Sequence, residues 1–284
     1  MIKLNGQIVT PTIFPDGTSQ VWHLPQYVFD CEIARVEWWF ENEAEIIHLA
    51  QLATLLNQHD QCNRLFMPYF PYARQDKEVS NDTSFALYPF LDILKRMGWY
   101  RIQSVDVHFD FPPEIMPCKN IRPTWIYDKS FDYDTIIFPD KGAANRYKWI
   151  RHTNIVIGKK VRDQATGKIT HYETTGTPTG TALVIDDLCD GGATFKILAK
   201  SLSRRVETLD LYVTHGIFSR GINILLEDYD HVYTTNSFFG HTINSDSLLE
   251  DLAVEACDSM EYAIMYDAYN NKKLIIEPLY PQGA

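Results

Sequence analysis

The chemically richest string in this 284-residue chain is Thr181–Thr194, TALVIDDLCDGGAT. An apolar run ends on two adjacent carboxylates, Asp186 and Asp187. It then passes through Asp190, Gly191, Gly192, Ala193 and Thr194 into a helical pattern over Phe195–Arg205. Ligands of open α/β sheets lie beyond the carboxyl ends of the strands, and a helix N-terminus offers a phosphate unpaired N–H groups and a favourable dipole. The two acids therefore suit ribose hydroxyls, and the turn Asp190–Thr194 suits a 5-phosphate. Two glycines alone would make an ordinary polar strand-to-helix turn; the whole string is more specific.

Four further clusters could bind anions or nucleotides. Met67–Lys77, MPYFPYARQDK, ends in Arg74, Gln75, Asp76 and Lys77. Arg offers a rigid fork to phosphate oxygens, while Gln and Asp can read polar nucleotide edges; the plainer reading is a solvated loop after a buried strand. Ser104–Asp110, SVDVHFD, puts His108 at a strand end between Asp106 and Asp110, a candidate metal or phosphate site. A lone His is more often structural, and Mg2+ prefers oxygen ligands. Ile136–Arg146, IIFPDKGAANR, places Asp140, Lys141, Gly142 and Ala143 at a helix start, presenting charge and backbone N–H groups. The tetrapeptide alone also fits a plain turn. Asn154–Arg162, NIVIGKKVR, closes on Lys159, Lys160 and Arg162.

These residues need a scaffold, and the chain supplies an α/β pattern. Short β-branched and aromatic runs predict strands at Arg64–Phe70, Arg101–His108, Thr135–Pro139, Asn154–Gly158, Thr181–Asp186, Thr208–Val213 and His231–Thr234. Helical stripes fall between them, over Asn42–Asn57 and Ser84–Met97. The proline-rich, aperiodic Phe111–Arg122 suggests a boundary, giving domains 1–118 and 119–284. Val161–Gly180, polar and rich in Thr and Gly, reads as a functional lid or hairpin. With a net charge of −11, bulk attraction to nucleic acid or to an anionic membrane is not expected, so phosphate chemistry must be local. Five scattered cysteines without C-x-x-C spacing fit a reducing compartment, and no apolar run reaches bilayer length; cytoplasm is the default.

The Asp186–Thr194 string resembles the ribose-phosphate loop of the type I phosphoribosyltransferase fold, and PYFPYARQDK resembles a signature of the PRPP synthetase (ribose-phosphate diphosphokinase) family. DVHFD, FPDKGA, Tyr212–Ser219 (YVTHGIFS) and Phe14–Thr18 (FPDGT) resemble further motifs of that family. The resemblance implies two tandem phosphoribosyltransferase-like domains and an enzyme that transfers the diphosphoryl group of MgATP to ribose 5-phosphate, releasing AMP. It implies ATP contacts at Arg74, Gln75, Asp76, Lys77, His108, Phe14 and Asp16, and magnesium contacts at His108 and Asp140. Asp140–Ala143 becomes the pyrophosphate loop. Lys160 and Arg162, or Lys159 in a register one earlier, become flap cations that neutralise transition-state charge. It also implies a homo-oligomer, since the Phe14–Thr18 loop reaches a neighbouring subunit's adenine site in the family.

Three departures stand against the family pattern. The loop D-T-x-G-T reads Asp190-Gly191-Gly192-Ala193-Thr194, which removes one hydroxyl and frees space; Thr18 replaces a Glu; and Lys119–Asp134 is unlike the usual linker. A roomier loop suits a substituted 5-phosphate, so ADP-ribose is an alternative acceptor, as in a phage branch of the family that serves NAD salvage. A phosphoribosyltransferase and a non-catalytic regulatory homologue are the remaining alternatives.

Overall fold

The computed structural model describes residues 1–25, 29, 32–59, 62–76, 80–109, 118–162, 169–202 and 205–238, and three strands within 252–277. Lys77, Asp110 and the side chain of Arg162 lie outside the described set. The chain divides into two compact units, Met1–Arg122 and Pro123–Ala284.

The first unit contains β1 (Ile2–Leu4), β2 (Gln7–Ile8), β3 (Thr12–Ile13), β4 (Ser19–Gln20), β5 (Ile33–Trp38), α1 (Ala44–Gln58), β6 (Cys62–Met67), α2 (Leu87–Arg96), β7 (Arg101–Val105) and β8 (Cys118–Ile121). Its main sheet has the order β2-β1-β5-β6-β7-β8, with β5 to β8 parallel and β1 antiparallel to β5; β3 and β4 form a separate hairpin. α1 buries Leu49, Leu52, Ala53 and Leu56, and α2 buries Leu87, Phe90, Leu91 and Leu94, each an apolar stripe at helical spacing. Fully burying such a side chain contributes roughly 1.5–3 kcal/mol. Glu45 on α1 is also buried, because its carboxylate accepts the indole N–H of Trp38 at 2.8 Å and the backbone N–H of Glu41 at 2.9 Å. β8 pairs parallel with β7, Val105 opposite Ile121, so Lys119–Ile121 belong with the first unit, beyond the residue-118 boundary expected from the sequence.

The second unit contains α3 (Trp125–Ser130), β9 (Thr135–Phe138), α4 (Lys141–Arg146), β10 (Ile155–Arg162), β11 (Ile169–Thr174), β12 (Thr181–Cys189), α5 (Ala193–Leu202), β13 (Thr208–Gly216), α6 (Asn223–Leu226), β14 (His231–Thr235), β15 (Leu252–Ala256), β16 (Ala263–Asp267) and β17 (Lys273–Glu277). Its sheet has the order β11-β10-β9-β12-β13-β14-β17-β16-β15, parallel from β10 through β17 and antiparallel at both ends. β9 is buried at all four positions and β12 at seven of nine, as expected of parallel strands covered on both faces. The segment expected to be a lid or hairpin holds β11, which pairs antiparallel with β10.

All seven predicted strands are present with shifted ends. The Arg101 strand stops at Val105 because Asp106 turns the chain out of the sheet with φ +44°. β12 and β13 run further than expected, to Cys189 and Gly216, so the acid pair lies inside a strand. No helix among the described residues is long and apolar enough to cross a membrane.

Candidate functional site

In the second unit β10, β9, β12 and β13 are parallel neighbours, so the segments leaving their carboxyl ends emerge along one sheet edge. Asp140, just past β9, caps α4: its carboxylate accepts the Ala143 N–H at 3.0 Å. The same carboxylate accepts from the Lys160 ammonium at 2.9 Å. Burial raises the Asp140 pKa, but the Lys160 hydrogen bond and the Ala143 N–H outweigh it, leaving the carboxyl below its ordinary range. Lys159, one residue earlier, points across the hairpin to Glu173 at 3.5 Å and is 74% exposed, so the loop receives Lys160 and not Lys159. Lys141 and Gly142 form the first turn of α4.

This approach depends on Gly158. A Cβ there would stand 2.7 Å from the backbone oxygen of Pro139 and 3.0 Å from Cδ1 of Tyr172. Only a residue without a side chain lets β10 lie this close to the loop that carries Asp140.

The acid pair has a partner that sequence reasoning passed over. Arg146, at the end of α4, bonds Asp187 directly and lies 3.9 Å from Asp186. Asp187 is buried, so this cation offsets a charge removed from water. Burial, and then the adjacent Asp187 charge, push the Asp186 carboxyl well above its ordinary range. The segment containing Arg146 was visible in the sequence, but nothing in its spacing tied it to a strand forty residues later.

The turn after β12 holds Asp190, Gly191 and Gly192, and Ala193 and Thr194 open α5. Gly192 has φ +71°, whereas Gly191 lies outside the left-handed region. The sequence suggested that glycine at 191 frees space; the structure corrects this, because Arg220 fills it. A Cβ on Gly191 would stand 3.3 Å from Nε and 3.4 Å from Cδ of Arg220. The YVTHGIFS segment is thereby part of the same site: the N–H groups of Ile217 and Phe218 both donate to the Cys189 carbonyl, at 2.9 and 3.2 Å.

In the first unit β6 and β7 are parallel neighbours, so the Arg74 and His108 segments also follow adjacent strand ends on one edge. Arg74 and Gln75 are exposed, Asp76 and His108 half-buried. The loop turns sharply at Tyr72, φ +63°, an uncommon conformation for a bulky residue. The Tyr72 hydroxyl donates to Glu43 at 2.5 Å; burial, then that hydrogen bond, push its pKa up to about 12. Phe70 anchors the loop against Phe90 and Phe109. Phe14 and Asp16 sit in the β3–β4 turn, where Thr18 donates both N–H and hydroxyl to Asp16, at 3.0 and 2.7 Å. Those hydrogen bonds lower the Asp16 pKa. Thr18, found where the resemblance calls for Glu, thus closes the turn.

Among the described residues no three His, Cys, Asp or Glu side chains converge on a metal position. The Asp140 carboxylate, bonded to Lys160 and to the Ala143 N–H, is an oxygen donor of the kind that Mg2+ takes as a single protein contact.

No family model matches the chain. It is 27% identical over 202 residues to the ribose-phosphate pyrophosphokinase of Bradyrhizobium diazoefficiens, covering 66% of this chain and 61% of that one. It is 30% identical over 192 residues to that of Mycoplasmopsis pulmonis, covering 61% and 58%. The matched stretch therefore spans about three fifths of these relatives' own length. The crystal structure of phosphoribosylpyrophosphate synthetase from Mycobacterium smegmatis superposes with a TM-score of 0.67 at 21% identity, covering 81% and 80% of the two chains. The chain is thus similar to ribose-phosphate pyrophosphokinases over about two thirds of its length and shares the fold of the phosphoribosylpyrophosphate synthetase structure.

Proposed function

We propose that this homologue of the ribose-phosphate pyrophosphokinases transfers the β,γ-diphosphoryl group of MgATP to the anomeric hydroxyl of ribose 5-phosphate and releases AMP. The observation that carries the reading is the Lys160 ammonium held at 2.9 Å on Asp140, on the sheet edge that also carries the acid pair and the glycine turn. In the reaction the anomeric oxygen forms a bond to the β-phosphorus, the bond from that phosphorus to the oxygen bridging to the α-phosphorus breaks, and the oxygen leaves on AMP. The hydroxyl proton passes to solvent, no described residue of the site being assigned as a dedicated general base.

The protein's part is positioning and charge neutralisation. Asp186 and Asp187 take ribose hydroxyls, displacing part of the Arg146 contact. Asp190–Thr194 hold the 5-phosphate, and the α4 N-terminus with Lys160 receives the diphosphoryl group. Arg162 joins Lys160 on the same strand end. Arg74, Gln75, Asp76, Lys77 and His108 take the nucleotide, with Phe14 and Asp16 completing the adenine site across a homo-oligomer. Magnesium, arriving with ATP, neutralises phosphate charge; His108 and Asp140 are its proposed protein contacts. No nucleic-acid or membrane partner is proposed.

The test is AMP release from MgATP with ribose 5-phosphate and with ADP-ribose in parallel, the products identified by mass spectrometry and Lys160→Ala as control. AMP with phosphoribosyl diphosphate is the expected product pair. AMP with ADP-ribose alone would transfer the reading to that acceptor. No AMP from either, in a folded protein that binds ATP, would refute it.

A further inference from the structure

Gly191 poses a question that backbone conformation does not answer. Its φ lies outside the left-handed region, so any residue could adopt it, yet an added Cβ would press on Arg220. The three nearest atoms are Nε, Cδ and Cγ, at 3.3, 3.4 and 3.6 Å, so the arginine stem lies across the turn. A fixed backbone delivers it there. Ile217 and Phe218 are both bonded to the Cys189 carbonyl, the Gly221 N–H donates to the Phe218 carbonyl at 2.8 Å, and Phe218 and Ile222 on either side are buried. The turn at Gly192 is clasped from the same segment by Leu225 and Ile224. Arg220 itself is exposed, and among the described residues it has no hydrogen bond or ion pair. A long cation is thus held over an anion-binding turn without a partner of its own, in a chain of net charge −11.

Resting on the reading of Asp190–Thr194 as the acceptor-phosphate turn, we propose that Arg220 is a further binding residue of the acceptor site, holding the phosphoryl oxygens at C5 of the ribose. Gly191 and Arg220 act as a pair: loss of a side chain at 191 removes a neutral hydroxyl donor and admits a guanidinium in its place. A guanidinium offers several donors in a planar fork and full charge, so it binds a phosphoryl group more strongly than one hydroxyl does.

The test is titration calorimetry of the full chain with ribose 5-phosphate, ADP-ribose and MgATP, alongside kcat and KM for AMP release, in wild type, Arg220→Ala, Arg220→Lys and Gly191→Thr. Both acceptors carry a C5 phosphoryl group, and the effect is read on whichever the wild type takes. Arg220→Ala is expected to weaken acceptor binding and raise its KM by about 10- to 100-fold, the worth of a hydrogen bond to a charged group. MgATP affinity and melting temperature should stay unchanged, and Arg220→Lys should recover part of the loss. Gly191→Thr displaces Arg220 in the wild-type background, weakening binding, but restores a hydroxyl and improves binding in the Arg220→Ala background. A wild type that releases AMP with an acceptor KM indifferent to Arg220 refutes the assignment and leaves the transferase. Acceptor binding that depends on Arg220 without AMP release keeps the assignment and refutes the transferase. Failure to bind either acceptor refutes both.

Discussion

Gly158→Ala isolates the contact between β10 and the Asp140 loop. In an ordinary strand this substitution stabilises, since Gly loses more freedom on folding, by roughly 0.5–1 kcal/mol. Here the added methyl would lie 2.7 Å from the Pro139 oxygen and 3.0 Å from Tyr172, and the first neighbour is backbone that cannot rotate away. Carbon and oxygen prefer roughly 3.5 Å, so the loop must retreat by about 0.8 Å or the strand must shift; overpacking of this kind costs about 1–3 kcal/mol. The displaced segment carries Asp140, so the Lys160 contact lengthens and AMP release should fall by up to about 100-fold, as for a misplacement near 1 Å. Denaturant unfolding and AMP release under saturating substrates read the two effects separately. Gly176→Ala is the control: its methyl would meet Val156 at an ordinary 3.4 Å, so activity should be unaffected and stability should rise by up to about 1 kcal/mol. If Gly158→Ala proved as stable and as active as wild type, the close approach would not organise the site and the reasoning would fail.

Lys160→Ala should lower kcat by about 100- to 1000-fold, as loss of a charge-stabilising group does, whereas Lys159→Ala, which removes an exposed cross-hairpin pair, should leave kcat unaltered. Arg146→Ala leaves Asp187 buried beside Asp186 without its cation; breaking such a pair costs about 3–5 kcal/mol in denaturant unfolding, and a loss below about 1 kcal/mol would argue that water already screens it. The Asp140 carboxyl, held below its unfolded range, stabilises the fold above its unfolded pKa, and that stability is lost as pH falls through its folded pKa. Asp140→Asn should therefore be less stable than wild type at neutral pH, with the melting-temperature gap closing as the buffer is taken into the acid range; a constant gap would refute a contribution from the charge of the carboxylate.

The sheet of the second unit was legible because β9, β12 and β13 are buried on both faces and carry dense apolar and β-branched stretches such as TIIF, ALVI and LYV. The strands at the margins were not. β1, β2 and β11 are short or carry exposed polar residues, and pairing, not local pattern, makes them strands. The candidate site was legible wherever its residues fall in one contiguous string: the acid pair, the glycine turn, Asp140 and Lys160. The choice between Lys160 and Lys159 was not, because it depends on which face of β10 meets the loop. Arg146 and Arg220 were missed for one reason: each is an isolated cation brought to its place by tertiary packing, Arg146 onto the acid pair and Arg220 beside Gly191. The space inferred at Gly191 shows the same limit, since a sequence reveals a removed side chain but not what moves in.

The Lys160–Asp140 contact has a further meaning for ligand entry. A lysine free in solvent must give up rotamer freedom before it can grip an anion. Here the ammonium is already held in place by a carboxylate, so in the proposed reaction an arriving diphosphoryl group would exchange one oxyanion for another with little ordering left to be done. That exchange would leave Asp140 as an oxygen donor in want of a cation as the proposed MgATP arrives. In the proposed reaction a contact that braces the loop would thus work as an ion exchanger, trading its own lysine for the substrate's charge and its own carboxylate for the substrate's metal.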